Sequence, residues 1–248
     1  MYKPIQGSDA TLNLVVERHG QYPDFSSGLP FEYQLRLRYR DGNGDLQPYW
    51  CGFFTPLEST EDVTTFPFVQ SFTAIDGLGL LEESNPPRSI VGGQVNAFDT
   101  FIVPSLQQIG LNLPIYVQSG LTNNGEEALT TATVDDLARF SDLDGDGELF
   151  TNKEIIEGYL SAFNCKITQS NGRWYIYNSS TLADSTTWKT YAVNSSTNMY
   201  EVGSKVTESL LINIDGTPTQ DVIPSSDDLQ LTLRRPRGSV ECLSLIHI

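Results

Sequence analysis

The chain has 248 residues, of which 39% are hydrophobic and 10% aromatic, so it can fold around one large core or two small ones. Its formal net charge of −16 disfavours nucleic acid and anionic lipid as partners, because both are negatively charged. No apolar run approaches the roughly 20 residues of a membrane helix, so no membrane insertion is expected.

The first part of the chain, residues 1–85, is predicted to be an antiparallel β unit. Short segments alternate between apolar and polar residues, as half-buried strands do. These segments are 10–16, 31–39, 49–54 and 68–74. The turn at 41–45, Asp-Gly-Asn-Gly-Asp, joins the second and third segments as a hairpin. Asp76-Gly77 is predicted to turn the chain sharply into a short helix.

The central part, residues 86–164, is predicted to be helical. Apolar residues recur at helical spacing over 98–109, despite Pro104, and again over 152–163. A further, short helix is predicted over 134–140. The helix over 152–163 has the most regular pattern of the three, so it is expected to bury one complete face.

The third part, residues 165–241, is predicted to return to β structure. Segments 165–169 and 174–177 flank Asn171-Gly172, the signature of a tight hairpin turn. Further strands are predicted at 188–193, 210–214 and 229–233. The predicted fold class is therefore α+β and predominantly β, with an N-terminal antiparallel β unit, a central helical segment and a C-terminal β-hairpin or β unit.

The last seven residues, 242–248, have the sequence Cys-Leu-Ser-Leu-Ile-His-Ile. This sequence resembles the translation of a sequencing adapter, as found at the ends of assembled metagenomic reads. We therefore expect a partial fragment with a non-native tail at 242–248. An ordinary terminal strand is the alternative interpretation of the same residues.

Three motifs, in this order along the chain, carry a resemblance to a known family. They are Trp50-Cys51-Gly52-Phe53, the segment 72–81 with Ala74-Ile75-Asp76-Gly77-Leu78, and the hairpin 165–177 with Asn171-Gly172 and Trp174. Together they resemble tail-tip or baseplate proteins, similar to tail hubs, of phages that infect Bacteroidetes-like hosts. The resemblance covers roughly residues 2–177. It implies a structural role in the virion and no catalytic residues.

One segment has the pattern of a metal site. Asp142, Asp144 and Asp146, followed by Gly147, match the first positions of an EF-hand calcium loop, because calcium favours closely spaced carboxylate oxygens and a sharp glycine turn. The twelfth position, where a bidentate Glu is needed, is Lys153, and Glu154 follows one residue late. The predicted calcium ligands are therefore Asp142, Asp144, Asp146 and Glu154. The alternative is an acidic turn before a helix capped by Thr151 or Asn152.

Other reactive residues give no catalytic pattern. Cys51 and Cys165 lie in predicted strands and are expected to be buried apolar side chains. His19 stands in a polar stretch and is expected in a loop, which leaves no convincing partner for a nucleophile. The sequence therefore predicts a protein that is not an enzyme and that has no cofactor other than calcium.

These observations predict a structural component of a phage tail tip or baseplate, made in the bacterial cytoplasm and located in the virion. Its partners are expected to be other phage tail proteins, copies of itself, or both. The alternative is a secreted, calcium-stabilised module that binds a polymer or surface ligand. A third possibility is a fragment of a hydrolase whose catalytic residues lie elsewhere.

Overall fold

The computed structural model describes residues 3–18, 21, 32–40, 43–55, 66–84, 93–135, 150–178, 180–181, 186–208, 230–235 and 238–245. The chain is α+β and predominantly β, which confirms the predicted fold class. It divides into two compact units. Unit 1 contains residues 1–7 and 78–221, and unit 2 contains residues 8–77 and 222–248.

The strands of the described residues follow one another along the whole chain. They are β1 (Ile5–Gln6), β2 (Asp9–Val16), β3 (Gln34–Arg40), β4 (Leu46–Phe54), β5 (Phe68–Ile75), β6 (Gln94–Asn96), β7 (Ile115–Gln118), β8 (Thr122–Asn123), β9 (Glu126–Glu127), β10 (Thr133–Asp135), β11 (Lys166–Ser170), β12 (Arg173–Tyr177), β13 (Thr186–Val193), β14 (Tyr200–Val202), β15 (Val206–Glu208), β16 (Gln230–Arg235) and β17 (Gly238–Leu245). The α-helices are α1 (Val103–Ile109), α2 (Ala128–Thr131) and α3 (Asn152–Ala162). A 3-10 helix spans Leu78–Glu82, and a π-helix spans Phe98–Ile102.

Unit 2 is built on one antiparallel sheet of six strands in the order β17-β16-β3-β4-β5-β2. The strands predicted at 10–16, 31–39, 49–54 and 68–74 correspond to β2, β3, β4 and β5. Their apolar side chains meet on one face because successive residues of a strand point to opposite sides. The core cluster on that face is Leu14, Leu35, Trp50, Phe54, Phe72 and Ala74.

Unit 1 contains a mixed sheet in the order β1-β11-β12-β7-β13-β14, and β15 pairs with the beginning of β13. The pairs β1–β11 and β12–β7 are parallel, whereas the other pairs of this sheet are antiparallel. The predicted hairpin forms β11 and β12. The central and C-terminal parts of the sequence therefore contribute neighbouring strands to one sheet.

The helices of unit 1 confirm two of the three predicted ones. The segment 98–109 is π-helical over Phe98–Ile102 and α-helical over Val103–Ile109, with Pro104 in the first turn of α1, where a missing N–H is tolerated. Helix α3 buries the predicted apolar face, including Ile156 and Leu160 at 0% exposure. Both helices contribute to the core of this unit.

The prediction of a helix over 134–140 is wrong for its first two residues. Residues 133–135 form β10 and pair antiparallel with Gln94–Asn96 of β6. Val134 is β-branched and lies opposite Val95, a pairing that strands favour. Residues 136–140 and the predicted strand 210–214 lie outside the described residues.

The segment that resembles adapter sequence lies partly in β17. Residues 242–245 pair with 230–233 of β16, so this part has the strand geometry of the alternative interpretation. The origin of residues 242–248 stays a prediction.

Candidate functional site

The first two of the three sequence motifs meet in a partly buried hydrogen-bond network of unit 2. Asp76 is 1% exposed, and its Oδ2 accepts hydrogen bonds from Ser8 N at 2.6 Å and Ser8 Oγ at 2.8 Å. Trp50 Nε1 donates to Ser8 Oγ at 2.9 Å. A buried carboxylate requires such donors, since burial without them is costly. The network therefore fixes the end of β5 to the beginning of β2.

Gly52 lies where the main chain of β5 and the ring of Trp50 leave no room for a side chain. A Cβ at Gly52 would overlap Trp50 Cη2 and the carbonyl oxygen of Ile75, and would lie 2.8 Å from the Ile75 carbonyl carbon. A glycine within a strand permits such a close approach of another main chain. Gly77, with φ of 83°, makes the predicted sharp turn after Asp76.

The third motif is a tight hairpin in unit 1. Asn171 and Gly172 have φ of 48° and 64°, the left-handed values that an Asn-Gly turn requires. Trp174 follows on β12 at 0% exposure, and its indole nitrogen has no hydrogen-bond partner among the described residues. Its ring therefore acts as a core filler. All three motifs thus hold scaffold positions.

The structure describes one of the four predicted calcium ligands, Glu154. Asp142, Asp144 and Asp146 lie outside the described residues. Glu154 forms a capping box with Thr151: its Oε2 accepts from Thr151 N at 2.8 Å and Thr151 Oγ1 at 3.0 Å, and Thr151 Oγ1 accepts from Glu154 N at 3.2 Å. Glu154 therefore has a structural role at the start of α3 that needs no metal.

Lys153, at the twelfth position of the EF-hand pattern, forms an ion pair with Glu82. Lys153 Nζ lies 2.8 Å from Glu82 Oε2, and this hydrogen bond raises the pKa of Lys153. The pair is largely solvent-exposed and contributes little to stability. Within the described residues, no group of three or more His, Cys, Asp or Glu side chains is placed to hold a metal ion.

The thiols of Cys51 and Cys165 are buried, as predicted, and are held in their neutral form. Burial raises the pKa of Cys51 to about 11 and that of Cys165 to about 12. A thiol is nucleophilic only as the thiolate. Neither side chain therefore resembles an activated catalytic cysteine.

We expect Cys51 and Cys165 to resist iodoacetamide in the folded protein at neutral pH and to react after unfolding in urea. Mass spectrometry of the alkylated peptides measures each thiol separately. The folded state keeps the Cys51 proton while the unfolded chain loses it near its ordinary pKa of 9.0, so this contribution to stability is complete below pH 9 and is lost toward pH 11. Rapid alkylation of either thiol in the native protein would contradict this burial.

One charged cluster of unit 1 was not predicted. Glu126 lies between Lys189 Nζ at 3.7 Å and Lys205 Nζ at 3.4 Å. Burial raises the pKa of nearby Asp99, and the positive charge of Lys189 opposes this shift. These residues are distant in sequence, so no local pattern predicts their meeting.

An aromatic cluster on β7, β12 and β13 was also missed. The ring centroids of Tyr116 and Tyr175 are 5.4 Å apart, and those of Tyr175 and Trp188 are 5.2 Å apart. The guanidinium carbon of Arg173 lies 4.5 Å from the centre of the Tyr116 ring, in a cation–π contact. The sequence does not predict this cluster because β7 lies between β12 and β13 in the sheet, and both of these strands come much later in the chain.

Comparisons with known proteins assign the chain to no family. No protein-family model matches the chain, and neither a curated protein nor a solved structure is similar enough to count as a match. Among the described residues, no helix is both long and apolar enough to cross a membrane.

Proposed function

We propose that this chain is a structural part of a phage tail tip or baseplate and acts by assembling with other proteins of the virion. One observation carries the proposal: among the described residues, an outermost strand of a sheet in each unit presents exposed apolar side chains. In unit 2, Val15 on β2 is 51% exposed and lies opposite Val69, which is 64% exposed. In unit 1, Val202 on β14 is 65% exposed, and Met199 just before it is 56% exposed.

Exposed apolar residues at sheet ends favour contacts with further protein. Scattered single apolar residues are normal on a surface, but adjacent ones beside a sheet edge mark interaction sites. The motifs that resemble phage tail proteins support the same function, since each one builds scaffold. A protein of this kind works through its shape and its surfaces.

Co-expression with the products of neighbouring genes tests this proposal. An affinity-tagged full-length protein should retain at least one neighbouring tail protein through purification and sediment with it as one defined species. A matched variant, Val15→Lys with Val69→Glu, keeps the net charge and should lose binding if this sheet end makes the contact. Sedimentation of the full-length protein alone, with every neighbouring tail protein absent from its peak, would contradict the proposal.

Calcium has a limited place in this proposal. Carboxylates at Asp142, Asp144 and Asp146 are the hard oxygen donors that calcium prefers, and Glu154 can add Oε1 while Oε2 keeps the capping box. Bound calcium would stabilise this loop. The alternative function, a secreted module that binds a polymer, depends on the same loop.

We expect calcium to raise the melting temperature of the protein, with weak affinity in the range of roughly 10⁻⁴ to 10⁻³ M. Asp144→Ala should abolish this shift. Glu154→Gln should reduce it without lowering stability in EDTA, because glutamine also completes a capping box. Thr151→Ala should do the reverse, lowering stability by about 1 kcal/mol and leaving the calcium shift unchanged.

Titration calorimetry decides whether the loop binds calcium at all. Lys153→Glu places a carboxylate at the regular twelfth position and should tighten binding, at the cost of the weak ion pair with Glu82. If neither the native protein nor Lys153→Glu gives heat at millimolar calcium, the loop is an acidic turn that precedes helix α3, and Thr151 caps that helix.

A further inference from the structure

Two of the three Asn-Gly pairs of the chain form the same kind of turn in unit 1. Asn124-Gly125 joins β8 to β9, and Asn171-Gly172 joins β11 to β12. Their φ angles are alike, at 52° and 80° in the first turn and 48° and 64° in the second. A two-residue loop with left-handed backbone at both positions is a type I′ hairpin turn. The two turns therefore place the same dipeptide, in the same conformation, in two different surroundings.

An Asn-Gly pair is chemically labile because the amide nitrogen of the glycine can attack the side-chain carbonyl carbon of the asparagine. The attacking nitrogen loses its proton and forms a five-membered succinimide ring, and the side-chain nitrogen takes up a proton and leaves as ammonia. Water then opens the ring at either carbonyl, which yields aspartate or isoaspartate. Glycine favours the attack because it has no side chain to hinder it, and asparagine is one of the thermolabile residues for this reason.

A closed type I′ turn disfavours this attack. In the left-handed conformation of the asparagine, the next amide nitrogen points away from Cβ, so the ring can close only after rotation about the Cα–C bond. That rotation breaks the hydrogen bond that closes the turn, which joins the two residues on either side of it. The reaction therefore proceeds from the opened turn, and its rate follows the fraction of molecules in which the turn is open.

The turn at Asn171-Gly172 is held closed by the sheet of unit 1. Strands β11 and β12 pair through five registered residues, and each has a second neighbour, β1 beside β11 and β7 beside β12. Gly172 is buried, and Trp174, two residues later, is 0% exposed. Opening this turn would disturb the core, so it requires a large free energy. Burial also limits the access of water and hydroxide to the Gly172 nitrogen.

The turn at Asn124-Gly125 has much weaker support. Strands β8 and β9 pair through two registered residues and form a separate two-stranded sheet among the described residues, an arrangement that is only marginally stable. Residues 122–125 are all exposed. Lys205 Nζ donates to Gly125 O at 3.2 Å, but this side chain is 50% exposed and its contact contributes little. Ala128 N donates to Leu121 O at 2.9 Å and holds the base of the hairpin, so opening is confined to the tip.

We propose that Asn124-Gly125 is a site of spontaneous deamidation in the folded protein, whereas Asn171-Gly172 is protected. The reactants are the chain itself and water, and the products are ammonia and aspartate or isoaspartate at position 124. Each converted chain gains one negative charge, one residue away from the carbonyl that Lys205 contacts. Isoaspartate also inserts the side-chain methylene into the main chain, which no longer fits the two-residue turn. The inference is independent of the proposed assembly function.

Peptide mapping by mass spectrometry tests the proposal on the 248-residue chain, incubated at neutral and at mildly alkaline pH. In the folded protein, deamidation at Asn124 should be at least about tenfold faster than at Asn171, because the two turns differ in their free energy of opening. In urea, where both turns are unfolded, the two rates should be similar. Labelling with a protein-isoaspartate methyltransferase identifies the isoaspartate product. Asn43-Gly44, the third pair, gives a separate peptide and does not enter the comparison.

Two matched variants assign the reaction to its turn. Asn124→Gly removes the reactive side chain, and glycine accepts the positive φ at this position, so labelling of this peptide should disappear while the circular dichroism spectrum stays unchanged. Asn171→Gly should leave the labelling at Asn124 as it is. Three results would each overturn the inference: equal rates at the two positions in the folded chain, an equal advantage of Asn124 in urea, or an Asn124 peptide that stays unmodified when folded while the urea-unfolded chain reacts.

Discussion

Gly52→Ala is expected to destabilise unit 2 severely, by about 3 kcal/mol or more. Overfilling a packed site typically costs about 1–3 kcal/mol, and the upper end applies when the neighbouring atoms cannot move aside. Here the added Cβ would overlap the Ile75 carbonyl, which is part of the paired main chain of β5, and the buried Trp50 ring. Urea denaturation followed by circular dichroism and tryptophan fluorescence measures the loss.

Gly79→Ala is the matched control for this substitution. A Cβ at Gly79 meets nothing within 4 Å, and the residue lies in the 3-10 helix of unit 1. Its substitution should change the free energy of unfolding by less than about 1 kcal/mol. Equal effects of the two substitutions would show that the close approach of β4 and β5 at Gly52 is not the cause.

Asp76→Ala is expected to cost about 3 kcal/mol. Hydrogen bonds to a charged group contribute about 1.5–3 kcal/mol each, and the substitution leaves both the N–H and the hydroxyl of Ser8 without their acceptor. Trp50 is affected as well, since its indole N–H donates to the same hydroxyl. The free energy of unfolding from urea titration gives the measurement.

Two further variants distinguish the stability lost with the hydrogen bonds of this network from the stability lost with the packing of a buried side chain. Asp76→Asn keeps an acceptor oxygen and should lose less than half as much stability. Ser8→Ala removes the hydroxyl alone and should cost about 1 kcal/mol, and its effect should not add to that of Asp76→Ala in a double-mutant cycle. Additive effects would mean that the two side chains do not act together.

Local patterns predicted the elements that depend on local physics. Strict alternation identified β3, helical spacing identified α3, and Asn171-Gly172 identified the β11–β12 turn, because each pattern expresses the burial of one face or a required backbone angle. Thr151 was likewise recognisable as a helix cap from its position before an apolar helix.

Contacts between residues that are far apart in the chain could not be predicted from the sequence. The parallel pairs β1–β11 and β12–β7 join residues far apart in the chain, and the two residues of β1 are too few to show any period. The link between Ser8 and Asp76 spans 68 positions, so no motif contains both. The candidate site followed the same division: Glu154 was predicted as a calcium ligand from its place in a pattern, which stays a prediction, whereas its capping box with Thr151 followed only from geometry.

Mass spectrometry of purified virions most directly tests the central claim that this protein is a structural part of a phage tail tip or baseplate. Particles of the phage that encodes the chain should contain its peptides at a stoichiometry similar to other tail-tip proteins, and particles stripped of their tails should lack them. Intact particles that contain tail-tube and tape-measure peptides but none from this chain would contradict the claim.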